Sequence, residues 1–187
     1  VGKVRVIAGR LKGRKIQVPE GGGVRPTSDR AREALFSILG SRVEGGNVLD
    51  LYSGSGALGI EAYSRGAASV TFLEADRRVH QVLVANLARL GIGSDCRAVL
   101  GSVGSFQERI KSVAPYRLIL ADPPYSDFPG QRLLDWCSEP GLLEPEGVLV
   151  VERDSRVEPA EGEGSRFRLE RSARYGRVTI DFYSARF

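Results

Sequence analysis

Apolar residues along this chain recur with two alternating periods. Compact apolar runs predict strands over 47–52, 68–74, 96–100, 116–121 and 147–152. Between them, apolar positions spaced three and four residues apart predict helices over about 56–65, 77–90, 102–113 and 129–138. Strands that alternate with helices build right-handed βαβ units, so the pattern predicts an α/β, Rossmann-like sheet, mostly parallel, with helices on both faces. Beyond a polar, glycine-rich stretch at 158–165, residues 166–170 and 177–183 predict two further strands joined around Tyr175-Gly176. This hairpin adds antiparallel pairing at one side and brings the sheet to seven strands.

The first forty residues follow a different pattern. Val4 to Ala8, a Gly9-Arg-Leu-Lys-Gly13 bend and Lys15 to Val18 predict a β-hairpin, ended by Pro19 and a run of three glycines. A helix follows, capped by Thr27 or Ser28, with Ala31, Leu35, Ile38 and Leu39 as its apolar stripe before Gly40. Residues 1–40 therefore read as an appendage to a domain spanning 41–187. Charge sharpens that division. The chain carries +4 overall, yet its first 32 residues hold nine basic and two acidic residues, a net +7, which leaves the remainder at −3. A basic segment on a mildly acidic body suggests contact with a polyanion, the plainer reading being a solvated basic face.

Several chemistries drop out. The one histidine, His80, falls in a predicted helix, and Cys96 and Cys137 have neither metal-ligand spacing nor histidine partners, so no metal is expected and both thiols read as core residues. No run reaches the length of a membrane span and none resembles an export signal, so a cytoplasmic protein is expected.

Two motifs carry chemistry. In "VLDLYSGSGALG", a strand enters a glycine-rich turn that opens a helix; Gly54, Gly56 and Gly59 fit GxGxxG, and Glu74 ends the next strand. Taken alone, this fits a dinucleotide site or an S-adenosylmethionine site, since both need close backbone approach and an acid for ribose hydroxyls. Asp50, just before the turn, would repel a pyrophosphate and favour a sulfonium, which points to the methyl donor. The second motif is "DPPY", Asp122 to Tyr125, at the exit of the fourth strand. Its prolines hold Asp122 and the carbonyls of Pro123 and Pro124 as fixed acceptors. Such acceptors can grip both hydrogens of an exocyclic amine, drawing its lone pair out of conjugation, while Tyr125 stacks on the base.

Together, "RVIAGRLKGRKIQVP", "RPTSDRAREALFSIL", "DLYSGSGALGIEAYSRGA" and "LADPPY" resemble the RsmD family of Rossmann-like, S-adenosylmethionine-dependent methyltransferases, a likeness running from Arg5 to about Tyr183. The resemblance implies methylation of the N2 amine of one guanine, position 966, in a loop of small-subunit rRNA, within a 30S particle and by a monomer. It implies that Asp50, Ser53, Gly54, Gly56 and Gly59 line the donor pocket, that Glu74 takes the ribose hydroxyls, and that Asp122, Pro123, Pro124 and Tyr125 take the guanine. Where the family often has an acid or amide for the adenine, this chain has Gly101-Ser102-Val103, leaving Ser102 or a backbone amide for that contact. Arg5, Arg10, Lys12, Arg14 and Lys15 would meet phosphates, and Arg25, Thr27 and Arg30 would lie beside the crevice. The competing readings are an adenine-N6 DNA methyltransferase, a non-catalytic nucleic-acid-binding module and a nicotinamide-dependent oxidoreductase.

Overall fold

The computed structural model describes residues 2–19, 29–104, 110–124, 130–160 and 166–185. In chain order they form β1 (Gly2–Arg5), β2 (Lys15–Val18), α1 (Asp29–Leu39), a 3-10 turn (Gly40–Val43), β3 (Asn47–Leu51), α2 (Ala57–Ser64) and β4 (Ser69–Glu74). These are followed by α3 (Arg77–Leu90), β5 (Cys96–Leu100), β6 (Tyr116–Ala121), α4 (Gly130–Cys137), β7 (Leu143–Asp154), β8 (Phe167–Tyr175) and β9 (Val178–Ala185). Of the helix expected over 102–113, residues 105–109 lie outside those described, 103–104 form a turn instead and only 110–111 are helical among the rest, while the cap expected at Thr27 or Ser28 lies outside the described residues.

The main sheet has seven strands in the order β5-β4-β3-β6-β7-β9-β8. Strands β3 to β7 run parallel, and β9 pairs antiparallel with both β7 and β8. The order turns back between β3 and β6, so a crevice opens at their carboxyl ends, where ligands bind in sheets of this kind. Strand β7 continues past the expected 152 because its polar tail has partners on β9: Arg153 clasps both carboxylate oxygens of Asp181, which also accepts from Ser172 on β8.

Alternating residues of each strand feed two apolar clusters. Val48, Val70, Phe72, Leu120 and Val150 face α1, α2 and α3, whereas Leu49, Leu73, Ile119 and Val151 face Leu133, Leu134 and Cys137 of α4. Cys96 is half-buried, and loss of solvation pushes its thiol up to about 12, in keeping with an unreactive packing role. Among the described residues no helix is long and apolar enough to cross a membrane.

The N-terminal segment is built into this body. Val6 and Ile16 of the hairpin and Leu35, Phe36 and Leu39 of α1 belong to the same apolar cluster as the sheet. Strand β1 ends at Arg5, three residues earlier than the sequence suggests: Val6 N–H still reaches across the hairpin to the Arg14 carbonyl, but the two amides after it are taken by another element. Ile7 and Ala8 donate to the two carboxylate oxygens of Glu61 on α2, at 2.7 and 3.0 Å. The bend then closes on the end of α2: Arg10 N–H donates to the Ser64 carbonyl and Leu11 N–H to its hydroxyl, both at 2.9 Å. Gly9 has φ +79°, and a Cβ there would sit 1.8 Å from the Ser64 carbonyl oxygen, so only glycine lets the bend dock.

Arg32, counted above with the basic surface, is fully buried instead. It shares the inner face of α1 with Phe36 and Leu39, donates to the Arg5 carbonyl at 2.6 Å and pairs with Asp29 at 3.0 Å. Its Nε lies 3.9 Å from Glu61, whose other side meets Arg65 at 2.7 Å. Glu61 is thus surrounded by two cations and two amides, which offsets the cost of burying it.

Candidate active site

At the carboxyl end of β3 the chain turns sharply to enter α2. Tyr52 has φ +56°, Gly54 +55° and Gly56 +85°, so three residues in five adopt left-handed backbone. Ser53 locks the turn: its hydroxyl donates to the Asp50 carbonyl at 2.6 Å and its N–H to the Leu73 carbonyl at 3.0 Å. Gly54 N–H donates to Glu74 Oε2 at 2.8 Å, while Glu74 Oε1 accepts from Asp76 N–H at 2.8 Å. Glu74 is therefore fixed at the end of β4, half-buried and facing the turn. The glycines divide the work. A Cβ at Gly56 would meet Leu83 of α3 at 2.5 Å and one at Gly59 would meet Phe72 of β4 at 2.4 Å, so Gly56 lets the start of α2 pack on α3 and Gly59 lets α2 pack on the sheet.

Asp50 points inward beneath this turn. It is 1% exposed, and its Oδ2 accepts from Gly59 N–H at 2.9 Å. Burial pushes its carboxyl up to about 7, eased by the Gly59 hydrogen bond and reinforced by the charge of Glu74. Asp122 follows β6 immediately, with Pro123 buried and Pro124 exposed beside it, and Tyr125 lies outside the described residues. Burial pushes the Asp122 carboxyl well above the usual carboxylate range, and the charges of Glu152 and Asp50 push it further. Register explains that proximity. Asp50 pairs with Leu120, and Ala121 pairs with Val151, so Asp50, Asp122 and Glu152 follow one another across β3, β6 and β7 on one face of the sheet. No cation among the described residues lowers Asp50 or Asp122.

The structure thus brings together Asp50, Ser53, Gly54, Glu74, Asp122, Pro123 and Pro124 at one end of the sheet. Ser102 is at the same edge: it is exposed just after β5, where Gly101 N–H donates to the Glu74 carbonyl at 2.8 Å. Arg5, Arg10, Lys12, Arg14 and Lys15 are all exposed on the hairpin and Arg30 on α1, whereas Arg25 and Thr27 lie outside the described residues. Arg10 is held over the Tyr63 ring at 3.7 Å. Arg89 of α3 extends this surface, since Arg14 donates to its carbonyl at 3.2 Å.

Sequence reasoning missed Glu152, Glu61 and Asn86. Glu152 carried a usable signal, because Val148, Val150 and Glu152 alternate onto the core face of a strand, and a carboxylate at such a position marks a special environment. A second cleft, of about 630 Å³, is lined by Arg42, Arg117, Glu144, Glu146 and Glu170. It lies at the opposite end of the sheet, and its Arg117 and Glu144 pair at 3.1 Å, so it lacks the uncompensated acids of the crevice. Among the described residues no cluster of histidine, cysteine or acidic side chains is arranged to hold a metal.

The family described as Conserved hypothetical protein 95 matches residues 4–184. Ribosomal RNA small subunit methyltransferase D of Escherichia coli (strain K12) is 39% identical over 153 residues, covering 82% of this chain and 76% of that protein. The protein of the same name from Haemophilus influenzae is 35% identical over 154 residues, covering 82% and 80%. A solved structure of Escherichia coli yhhF superposes with a TM-score of 0.81 at 33% identity, covering 99% of each chain. With nearly its whole length matched, the chain belongs to the Conserved hypothetical protein 95 family, the RsmD methyltransferases.

Proposed function

We propose that this methyltransferase transfers a methyl group from S-adenosylmethionine to the N2 amine of one guanine, position 966, in small-subunit rRNA. The observation that carries the reading is the juxtaposition, on adjacent parallel strands, of a glycine turn backed by Asp50 and a proline-fixed Asp122. The residues fit the donor: Glu74, pinned by two backbone amides, offers a carboxylate to ribose hydroxyls, and Asp50 offers negative potential to a cation. Bound there, the donor supplies an electrophilic methyl on a sulfonium. Ser102 would meet its adenine.

On the other side of the crevice, Asp122 and the Pro123 carbonyl would accept from the two N2 hydrogens and set the amine lone pair toward the methyl. Tyr125 would stack on the guanine. Entry of these N–H donors favours the charged form of Asp122, opposing the upward push of its burial. The amine sheds its own proton once alkylated, which removes any need for a strong base.

The hairpin and α1 serve as the RNA-binding part, with Arg5, Arg10, Lys12, Arg14 and Lys15 on phosphates and Arg25, Thr27 and Arg30 next to the target. Phosphate contacts supply affinity with steep salt dependence, and a guanine in a loop can be splayed into the pocket at low unstacking cost. The hairpin is small, which suits a substrate surface already assembled into a 30S particle in the cytoplasm, with the enzyme acting as a monomer.

The test is transfer of labelled methyl to small-subunit particles lacking this modification, for wild type and Asp122→Ala, with nuclease mapping of the product. Labelled N2-methylguanosine at one loop position, lost in the variant, is expected. Donor binding without transfer to particles or free rRNA would overturn the substrate, and transfer undiminished in the variant would overturn the role of Asp122.

A further inference from the structure

Asn86 lies on α3, in no part of either motif, and is fully buried. Its amide makes four hydrogen bonds. Oδ1 accepts from Gln17 N–H at 3.0 Å and from Arg89 Nη2 at 2.6 Å. Nδ2 donates to the Gln17 carbonyl at 2.9 Å and to the Ser55 carbonyl at 2.9 Å. Two donors meet one end and two acceptors the other, so the network itself fixes which way the amide points. Toward the hairpin, Asn86 acts as a substitute strand, pairing both backbone groups of Gln17 on β2. Toward the crevice, it holds the carbonyl of Ser55, the residue between Gly54 and Gly56.

The contacts continue outward at both ends. Arg89 also reaches the Lys15 carbonyl, and Arg14 donates to the Arg89 carbonyl, which leads to the basic surface. Inward, Gly54 N–H donates to Glu74. A continuous chain of hydrogen-bonded and covalent links thus joins exposed phosphate-binding side chains to the carboxylate that would take the donor's ribose. The hairpin has only two four-residue strands, too little to order itself in water, so its order depends on such docking.

We propose that Asn86 is a positioning residue that couples the two substrates: RNA held on the hairpin strengthens donor binding, and donor strengthens RNA binding by the same factor. The physical basis is shared ordering. Whatever fixes β2 against Asn86 also fixes the Ser55 carbonyl and the turn around it, so the second ligand meets a site whose ordering cost is already met. This inference rests on the proposed donor site and RNA surface, and extends them to a dependence of one on the other.

The experiment measures the dissociation constant of S-adenosylhomocysteine by calorimetry, with and without a saturating fragment of small-subunit rRNA containing the target loop. The proteins are wild type, Asn86→Asp and Asn86→Leu, kept below their melting temperatures. The aspartate retains acceptors for Gln17 N–H and Arg89 but cannot donate to the carbonyl of Ser55 or of Gln17. For wild type, RNA is expected to tighten binding about fivefold or more, within the usual range for coupled sites. For Asn86→Asp the factor is expected to fall close to one. Unchanged coupling in that variant, with both affinities lowered in parallel, would reduce Asn86 to a structural role and overturn the proposal, as would a wild-type factor of one. Failure of S-adenosylhomocysteine to bind wild type at all would instead strike the donor site. Asn86→Leu guards the aspartate result against an effect of added charge, and coupling retained there would also overturn the proposal.

Discussion

Two sets of buried carboxylates stand within one small domain, and they are treated in opposite ways. Glu61, fully buried under the hairpin, has Arg32, Arg65 and the amides of Ile7 and Ala8 around it. Asp50 and Asp122, at the carboxyl end of the sheet, have no cation among the described residues to lower them; burial pushes both up, joined by the charge of Glu74 at Asp50 and by those of Glu152 and Asp50 at Asp122. A carboxylate whose partners all come from the protein is part of the frame. One held at a cost in a crevice is placed for a partner that arrives from outside.

The largest effect that tests this contrast is expected at the frame. Glu61→Ala takes the ion-pair partner from Arg65 and one of two neighbouring carboxylates from the buried Arg32, frees two hairpin amides, and should cost about 3–5 kcal/mol of stability. At roughly 2–4 °C per kcal/mol for a chain this long, thermal melting would show it clearly. A melting point within a degree of wild type would break the comparison. Next in size, Asp122→Ala should lower kcat about 10²–10³-fold while leaving the melting point equal or higher, because it removes a group that burial disfavours. A matching loss of stability and activity would move Asp122 into the frame.

Asp50→Asn sharpens the same point through pH. The Asp50 carboxyl sits at about 7 in the folded chain against an ordinary 3.8, so between those values the folded state holds a proton that the unfolded state has released. Stability from this group therefore falls as pH rises from about 4 to 7. The asparagine variant should lack that fall and melt a few degrees higher than wild type at pH 8, with little difference at pH 4. Its affinity for the cationic donor should drop more than its affinity for the neutral S-adenosylhomocysteine. The smallest expected effect is at Glu152. Glu152→Gln removes one of the charges that raise Asp122, so the rise of methyl transfer with pH should move to lower pH. An unmoved profile would show that the two carboxylates do not sense each other in solution.

The strands and the two motifs were legible because they depend on local chemistry. Apolar runs report burial, glycines report left-handed turns, and the proline pair at 123–124 stops regular structure wherever it occurs. What the sequence hid depends on contacts between elements far apart in the chain. Arg32 looks like part of a basic surface, yet it occupies the stripe shared by Phe36 and Leu39. Helix α2 is buried from Leu58 to Ser64, so it has no polar face against which Glu61 could be seen as unusual. Asn86 looks like an ordinary polar residue in an amphipathic helix, because its partners Gln17 and Ser55 are 69 and 31 residues away. Glu152 is the intermediate case, with alternation exposing its position and β6 supplying its meaning.

The placement of β9 between β7 and β8 bears on how the molecule is made. It follows every other strand in sequence, yet it lies inside the sheet, joined to β7 over seven residue pairs from Val148–Ser184 to Asp154–Val178. While the chain is still emerging from a ribosome, β7 has an open hydrogen-bonding edge carrying Val148, Leu149, Val150 and Val151, and β8 cannot find its neighbour. The sheet can be completed only after residue 185 is free. A nascent chain stalled before that point would expose an apolar edge of the kind that chaperones bind, so the protein's own translation sets the earliest moment at which it can fold.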